Sequence, residues 1–469
     1  MTNPDVTKSG NFLQEELSRN VNNHAVETKK SRLFRTIPGK SFLKNVATMA
    51  TGTTVVQIIG IAASPFITRL YGPEAFGILG IFLAILSIFN PVATLTYSTA
   101  VVLPKADEEA KNIIKAAFLS SAVIAAAVAF ILVLFKNPLV AALNLDPVAD
   151  YILLIPIVIF LIGTVQIFNQ WLIRKALYKR IALLSIVKAL VINISKIGTG
   201  LFHATATVLI VLASFGYMLQ AILFYLGMGR NKDKTTDLTA ETGPEQVKNQ
   251  PASHILKTAR KFRNFPFYRA PQMLIGAFSK GIPVLMLAYF FGPAAAGFFA
   301  IANRVLQLPA GIIGKSIGSV FYPKIADVSH EQKNIRPYIT SATGGMAVLA
   351  FVPMFVVGIF GPTLFEWVFG QGWAMAGHYA RWLAILVFFE FILHPSKDAM
   401  LVAGMQKMLL VFEGTFFVLK TLMLITGLYL LHDDIMALFL YSMAGAVVSV
   451  VFLFFAHKKI PAVVNRAYG

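Results

Sequence analysis

RLYGPEAFG, Arg69 to Gly77, returns 220 residues later as YFFGPAAAG, Tyr289 to Gly297, with Gly72, Pro73 and Gly77 recurring as Gly292, Pro293 and Gly297. Gly-Pro makes a tight turn between antiparallel helices. Each copy follows the first apolar run of its half and precedes the second, so the chain reads as two copies of one unit.

The runs on either side are long. Of the 469 residues 57% are apolar and 13% charged, and the mean hydropathy is +0.69. That is more apolar surface than a soluble core uses, so lipid is the implied solvent. Runs of roughly 20 residues or more suit helices rising 1.5 Å per residue through about 30 Å of hydrocarbon. Six spans precede a polar segment: Val46 to Thr68, Phe76 to Val102, Ala116 to Phe135, Tyr151 to Leu172, Ile181 to Phe202 and Thr207 to Gly227. Six follow it: Pro266 to Phe291, Ala296 to Tyr322, Tyr338 to Phe360, His378 to His394, Met408 to Leu431 and Ile435 to Phe455.

The expected fold is an all-α integral membrane protein of about 12 helices, in two six-helix lobes related as parallel repeats around a central cavity. Its expected parts are a cytoplasmic tail over 1–40, an N-lobe over 41–229, a linker over 230–263, a C-lobe over 264–456 and a cytoplasmic tail over 457–469. The linker is rich in Lys, Asp, Thr, Gly and Gln, a composition that does not pack a core. The polar N-terminus, with Glu15 and Glu16, does not read as a cleavable signal peptide.

Charge orients the chain, because Lys and Arg in loops stay on the cytoplasmic side. With both tails on that side, it holds 31 of the 41 basic residues and 14 acids; the other side holds Arg69, Lys136 and Arg381 against six acids. Topology and anionic headgroups account for most of the +19 net charge, and nucleic acid is not a needed partner. There is no cysteine, so no disulfide or thiolate metal site, and no cofactor is read.

Seven cations remain within spans: Lys188, Lys196, Arg269, Lys280, Arg304, Lys315 and Lys420. Only Glu390 and Glu413 oppose them there, so the set is not neutralised internally and a cationic cavity for an anionic substrate follows. On the fifth span Ser185, Lys188, Ser195, Lys196 and Thr199 share one face. The seventh and eighth share a spacing: Arg269, Gln272, Gly276 and Lys280 in one, Arg304, Gln307, Gly311 and Lys315 in the other. Arg and Lys then align on one face, with Lys280 and Arg304 at similar depth and Arg269 and Lys315 nearer the cytoplasm. Snorkelling from helix ends is the competing reading for any single one, above all for Arg269 and Lys188. Glu390 and His394, one turn apart, are candidates for proton coupling, against a plain ion pair of Glu390 with Lys420. Pro91, Pro156, Pro271, Pro283 and Pro309 are expected to kink helices. No GxSxG, HExxH, Walker or GxGxxG motif stands in its required context, which argues against an enzyme.

Two stretches resemble a known family. The run from Phe42 to Ala110, with PFITRLYGPEAFGILGIF and TAVVLPKADEEA, is similar to the start of Wzx-type oligosaccharide flippases of the polysaccharide transporter family. Those belong to the multidrug/oligosaccharidyl-lipid/polysaccharide (MOP) exporter superfamily. GPAAAGFFAIANRVLQLPAGIIGKSIGSVFYPKIA, Gly292 to Ala326, resembles the family's eighth-helix region, matching its recurrent Arg and Pro at Arg304, Pro309 and Pro323. The family's Arg-Tyr-Glu near the end of the second helix is Thr96, Tyr97 and Ser98 here, so the ion pair expected there is missing. The resemblance implies translocation of an undecaprenyl-diphosphate-linked oligosaccharide across a bacterial inner membrane for O-antigen, capsule or exopolysaccharide assembly. It also implies membrane lipids, a polymerase and other assembly proteins as partners. An ion-coupled multidrug antiporter of the same superfamily is the alternative; it would want carboxylates in the first lobe's spans, which have none.

Overall fold

The computed structural model describes residues 40–104, 106–229, 260–262, 265–330, 335–403 and 405–468. The expected N-terminal tail over 1–39 and most of the linker lie outside these. Residues 52–469 form one compact unit and residues 1–51 another. Among the described residues there are helices and turns and no strand.

The helices are α1 (Lys40–Phe89), α2 (Tyr97–Ala100), α3 (Asp107–Leu143), α4 (Ile155–Arg174), α5 (Tyr178–Gly200) and α6 (Ala206–Met228). After the linker come α7 (Ala270–Phe291), α8 (Pro293–His330), α9 (Arg336–Phe369), α10 (Ala374–Ile392), α11 (His394–Val402), α12 (Gln406–Thr426) and α13 (Asp434–Tyr468). Among the described residues ten stretches are long and apolar enough to cross a membrane. The first of them, Thr51–Phe89, is two rods, because Gly72 breaks α1 with φ 69° and ψ 172°. Counted as two arms it brings the number to eleven; the 38-residue α8 stands where the eighth span was expected but is not among the ten.

The repeated turn has one geometry in both copies. Gly292 (φ 83°, ψ 178°) separates α7 from α8 as Gly72 separates the two arms of α1. A positive φ of this kind suits glycine, and the proline after it restarts a helix without wasting an N–H. The end of the bundle carrying these turns is here called distal, the opposite end proximal.

At the distal end the two lobes share one core. Phe76 and Phe298 both set their rings edge-on to Trp373, and Trp373 donates its indole N–H to the Thr68 carbonyl at 3.1 Å. Arg69 donates to the Trp367 carbonyl (2.6 Å), and Asn144 to that of Tyr289 (3.2 Å). Toward the proximal end the cores separate: one joins Ile325, Ile339, Met400 and Ile460 of the C-lobe, and two others belong to the N-lobe, around Ile113 and Ile167 and around Leu172 and Phe224. Apolar side chains such as Val133 and Phe454 cover the outer surface (70% and 75% exposed), as a lipid-facing helix requires.

Several expected boundaries are corrected. The second span does not run from Phe76 to Val102. Its helix stops at Phe89, and turns lead to the short α2, because Pro91 cannot donate to the helix ladder. The third continues past Phe135, where the backbone leaves helical values, to Leu143. The tenth is longer than predicted, α10 and α11 together covering Ala374 to Val402. Residues 457–468 continue α13. Arg381, counted from the sequence with the non-cytoplasmic side although the tenth span was expected from His378, sits seven residues inside α10. Pro283 lies within α7, whereas Pro156 and Pro271 occupy first-turn positions of α4 and α7, where proline disturbs nothing.

Candidate functional site

Where α1 stops, the chain unwinds inside the bundle, with Leu95 and Thr96 at positive φ. Backbone groups freed at membrane depth need partners, and Gln166 of α4 supplies them. Its amide nitrogen donates to the Asn90 carbonyl (2.8 Å) and side-chain oxygen (2.6 Å). Its oxygen accepts from Thr94 (3.1 Å) and Ser98 (3.4 Å), whose hydroxyls also bond each other at 2.9 Å. This knot forms one wall of a polar cavity of about 500 Å³ between the lobes, lined by Asn90, Thr96, Ser98, Gln166 and Gln170 and, from α7, by Lys280. On the other face of the same two elements, Ile88 of α1 and Phe278 of α7 help line an apolar groove of about 610 Å³, completed by α3 and the start of α4.

Lys280 and Arg304 each lie twelve residues from Gly292, on opposite arms of the turn, so they share one depth roughly 18 Å below it. Displaced by the 220-residue repeat they correspond to Gly60 and Ala84, so the C-lobe supplies cations where the N-lobe has none. The missing side chain at Gly60 is used: a Cβ there would sit 3.0 Å from the Arg304 guanidinium. Arg304 thus reaches across to α1, solvent-accessible although mid-helix. Lys196 and Lys188 of α5 are close enough to join it electrostatically, Lys196 repelling both. Lys188 also lies 5.6 Å from the Tyr217 ring centre. The predicted polar face of α5 is tied to α1 by Tyr71, which donates to the Lys196 carbonyl (2.8 Å) and meets Thr199 (3.2 Å). Among the described residues no carboxylate lies within 4 Å of Lys188, Lys196, Lys280 or Arg304.

Lys420 is placed differently. It is buried, 3.3 Å from the Glu390 carboxylate, 4.0 Å from the Phe416 ring centre and 5.1 Å from that of Tyr441. The other Glu390 oxygen accepts from Gln307 at 3.3 Å. Its charge is therefore matched within the C-lobe, as the plain ion-pair reading had it. Glu413 likewise faces Lys397, at 3.8 Å. His394 makes no hydrogen bond with Glu390: it opens α11 after Leu393, and its Nδ1 meets the Phe391 carbonyl (2.9 Å). Arg269 lies at the proximal mouth in the turn before α7, 3.5 Å from Gln272. Lys315 is on α8, but its side chain is outside the described residues, as is that of Pro309.

The structure thus brings Lys196 near both Lys188 and Arg304, sets Lys280 on the cavity wall at the depth of Arg304, and separates Lys420. Sequence reasoning missed Gln166 and Asn90. Pro91 inside an apolar run was the available signal, since an interrupted helix needs a polar neighbour. Among the described residues no group of three metal-ligating side chains forms.

Comparison with known proteins fits this geometry. A sequence model of the family described as "Polysaccharide biosynthesis protein" matches residues 42–329, and that of "Lipid II flippase MurJ" matches 278–404. The succinoglycan biosynthesis transport protein ExoT of Rhizobium meliloti is 20% identical over 355 residues, 73% of this chain and 65% of that protein. The teichuronic acid biosynthesis protein TuaB of Bacillus subtilis is 22% identical over 149 residues, 32% of this chain and 31% of that one. The matches thus span less than two thirds of either relative. Among solved structures, an inward-facing multidrug resistance MATE family transporter of the MOP superfamily superposes with a TM-score of 0.71 at 13% identity, covering 87% of this chain and 95% of that one. An inward closed lipid II flippase MurJ gives 0.67 at 15% identity, over 88% and 90%. The family model covers well over half of the sequence, and the chain belongs to the polysaccharide biosynthesis protein family and shares the fold of these MATE and MurJ structures.

Proposed function

We propose that this protein moves an undecaprenyl-diphosphate-linked oligosaccharide from the cytoplasmic to the outer leaflet of a bacterial inner membrane for surface polysaccharide assembly. The proximal end faces the cytoplasm. The observation that carries this reading is the set Arg304, Lys196, Lys188 and Lys280, without carboxylate partners among the described residues. A diphosphate matches such cations: Arg forks onto phosphate oxygens and Lys acts as a point charge. The polar cavity suits sugar hydroxyls. The apolar groove on the other face of the α1 and α7 wall suits the polyprenyl chain. The N-lobe places no carboxylate among these cations, which disfavours a cation or drug antiporter.

In a strain lacking the gene, lipid-linked repeat units are expected to accumulate on the cytoplasmic leaflet. The wild-type gene should clear them, and Arg304→Ala should not, at equal protein level. Full delivery of polysaccharide by Arg304→Ala would remove the site from this reading.

A further inference from the structure

Arg381 is a cation that the central cavity does not use. It lies inside α10, toward the distal end and on the lipid-facing side of the C-lobe. There Phe351, Phe355 and Ile359 of α9 and Trp382 and Phe388 of α10 form an almost wholly apolar groove of about 390 Å³, with Arg381 on its wall. The two helices are drawn together beside it by a reciprocal glycine contact. A Cβ on Gly361 would lie 2.6 Å from the Gly377 carbonyl oxygen, and one on Gly377 2.3 Å from that of Gly361.

The guanidinium carries five N–H donors. Among the described residues it makes one hydrogen bond, to the Ile359 carbonyl at 3.1 Å, and its buried Nε has no partner. No carboxylate among the described residues lies within 4 Å of it. A charge held among aromatic and aliphatic side chains at membrane depth, with most of its donors idle, requires an anion from the surroundings. The surroundings on this face are lipid. Phe351, Phe355 and Ile359 are each about half exposed (56%, 54% and 47%), so the groove opens outward rather than to the lobe interface.

We infer that Arg381 and the groove between α9 and α10 bind one phospholipid of the distal leaflet. Its phosphate sits on the guanidinium and an acyl chain lies along Phe351, Phe355 and Phe388. The occupant is a phospholipid rather than a free anion because the groove offers an acyl chain apolar contact and offers an inorganic ion one side chain. The inference does not depend on what the central cavity carries.

The test is native mass spectrometry of the full-length detergent-purified protein, titrated with phosphatidylglycerol. Wild type is expected to retain one tightly held lipid, and Arg381→Gln to bind it about tenfold more weakly, the loss of one charge-assisted contact. Arg381→Lys should recover part of that. Ile385→Trp, which fills the groove and leaves the charge, should also displace the lipid, so the result does not hang on one variant. Equal retention by wild type and Arg381→Gln would overturn the assignment. So would protection of the site by inorganic phosphate alone, or displacement of phosphatidylglycerol by undecaprenyl phosphate at a lower concentration, which would make the groove a substrate site.

Discussion

Gly77 lies so close on Pro293 that a Cβ at Gly77 would fall 1.6 Å from the Pro293 carbonyl oxygen, and the relation is mirrored: a Cβ at Gly297 would fall 2.2 Å from that of Pro73. Each copy of the repeated turn therefore receives the other, and the pseudo-twofold axis passes between them. This contact closes the distal end, and any movement that opens that end has to separate it.

Gly77→Ala and Gly297→Ala should each disfavour the closed arrangement, by about 1–3 kcal/mol for overpacking against backbone. The chain has no cysteine of its own, so Thr68→Cys provides a single probe at a buried distal site. Its labelling by a membrane-impermeant maleimide should accelerate in either glycine variant. An unchanged rate in both would show that this turn contact does not hold the end shut.

Lys420→Met leaves the partly buried Glu390 carboxylate without its cation and should cost about 1–3 kcal/mol. If the pair is structural, Glu390→Gln added to Lys420→Met should return most of that stability, read as the melting temperature in detergent. If Lys420 holds substrate, the double variant should melt normally and still fail to deliver polysaccharide.

Lys196→Glu places a carboxylate beside Arg304. The pair should raise stability modestly, by about 1 kcal/mol at a solvated site. Transport should fall at least tenfold, because the guanidinium would then be occupied by protein. A stabilised variant that transports normally would show that Arg304 does not meet the cargo's charge.

Gln166→Leu removes both the donor to Asn90 and the acceptor for Thr94 and Ser98. With several buried groups left unsatisfied at about 1–3 kcal/mol each, the unwound segment should loosen. Hydrogen exchange is expected to rise over Asn90 to Ser98 with little change in α7 and α8, and uniform change across the chain would count against a local role.

Much of the fold was legible because apolar runs at membrane length and a Gly-Pro turn repeated 220 residues apart leave few alternatives. The places where the reading slipped share one cause. Pro91 broke a run that hydropathy alone treats as continuous, and Arg381 looked like a loop residue because a charge near a span end reads the same whether it is in a loop or in a helix. For the candidate site, the equal depth of Lys280 and Arg304 followed from counting along two antiparallel helices. The ion pair of Lys420 was visible only as one of two possibilities, since one sequence does not say which neighbour a long side chain chooses.

By itself, the sequence determined the helical membrane class, the two lobes and the excess of cations within spans, all of which follow from periodicity, run length and composition. Only the tertiary structure decided which cations act together. Lys196 comes near Arg304 because Arg304 reaches α1 at Gly60 while Tyr71 of α1 holds α5, and Lys420 is neutralised because α10 and α12 bring Glu390 to it. That division depends on distances between helices far apart in the chain, which no local pattern encodes.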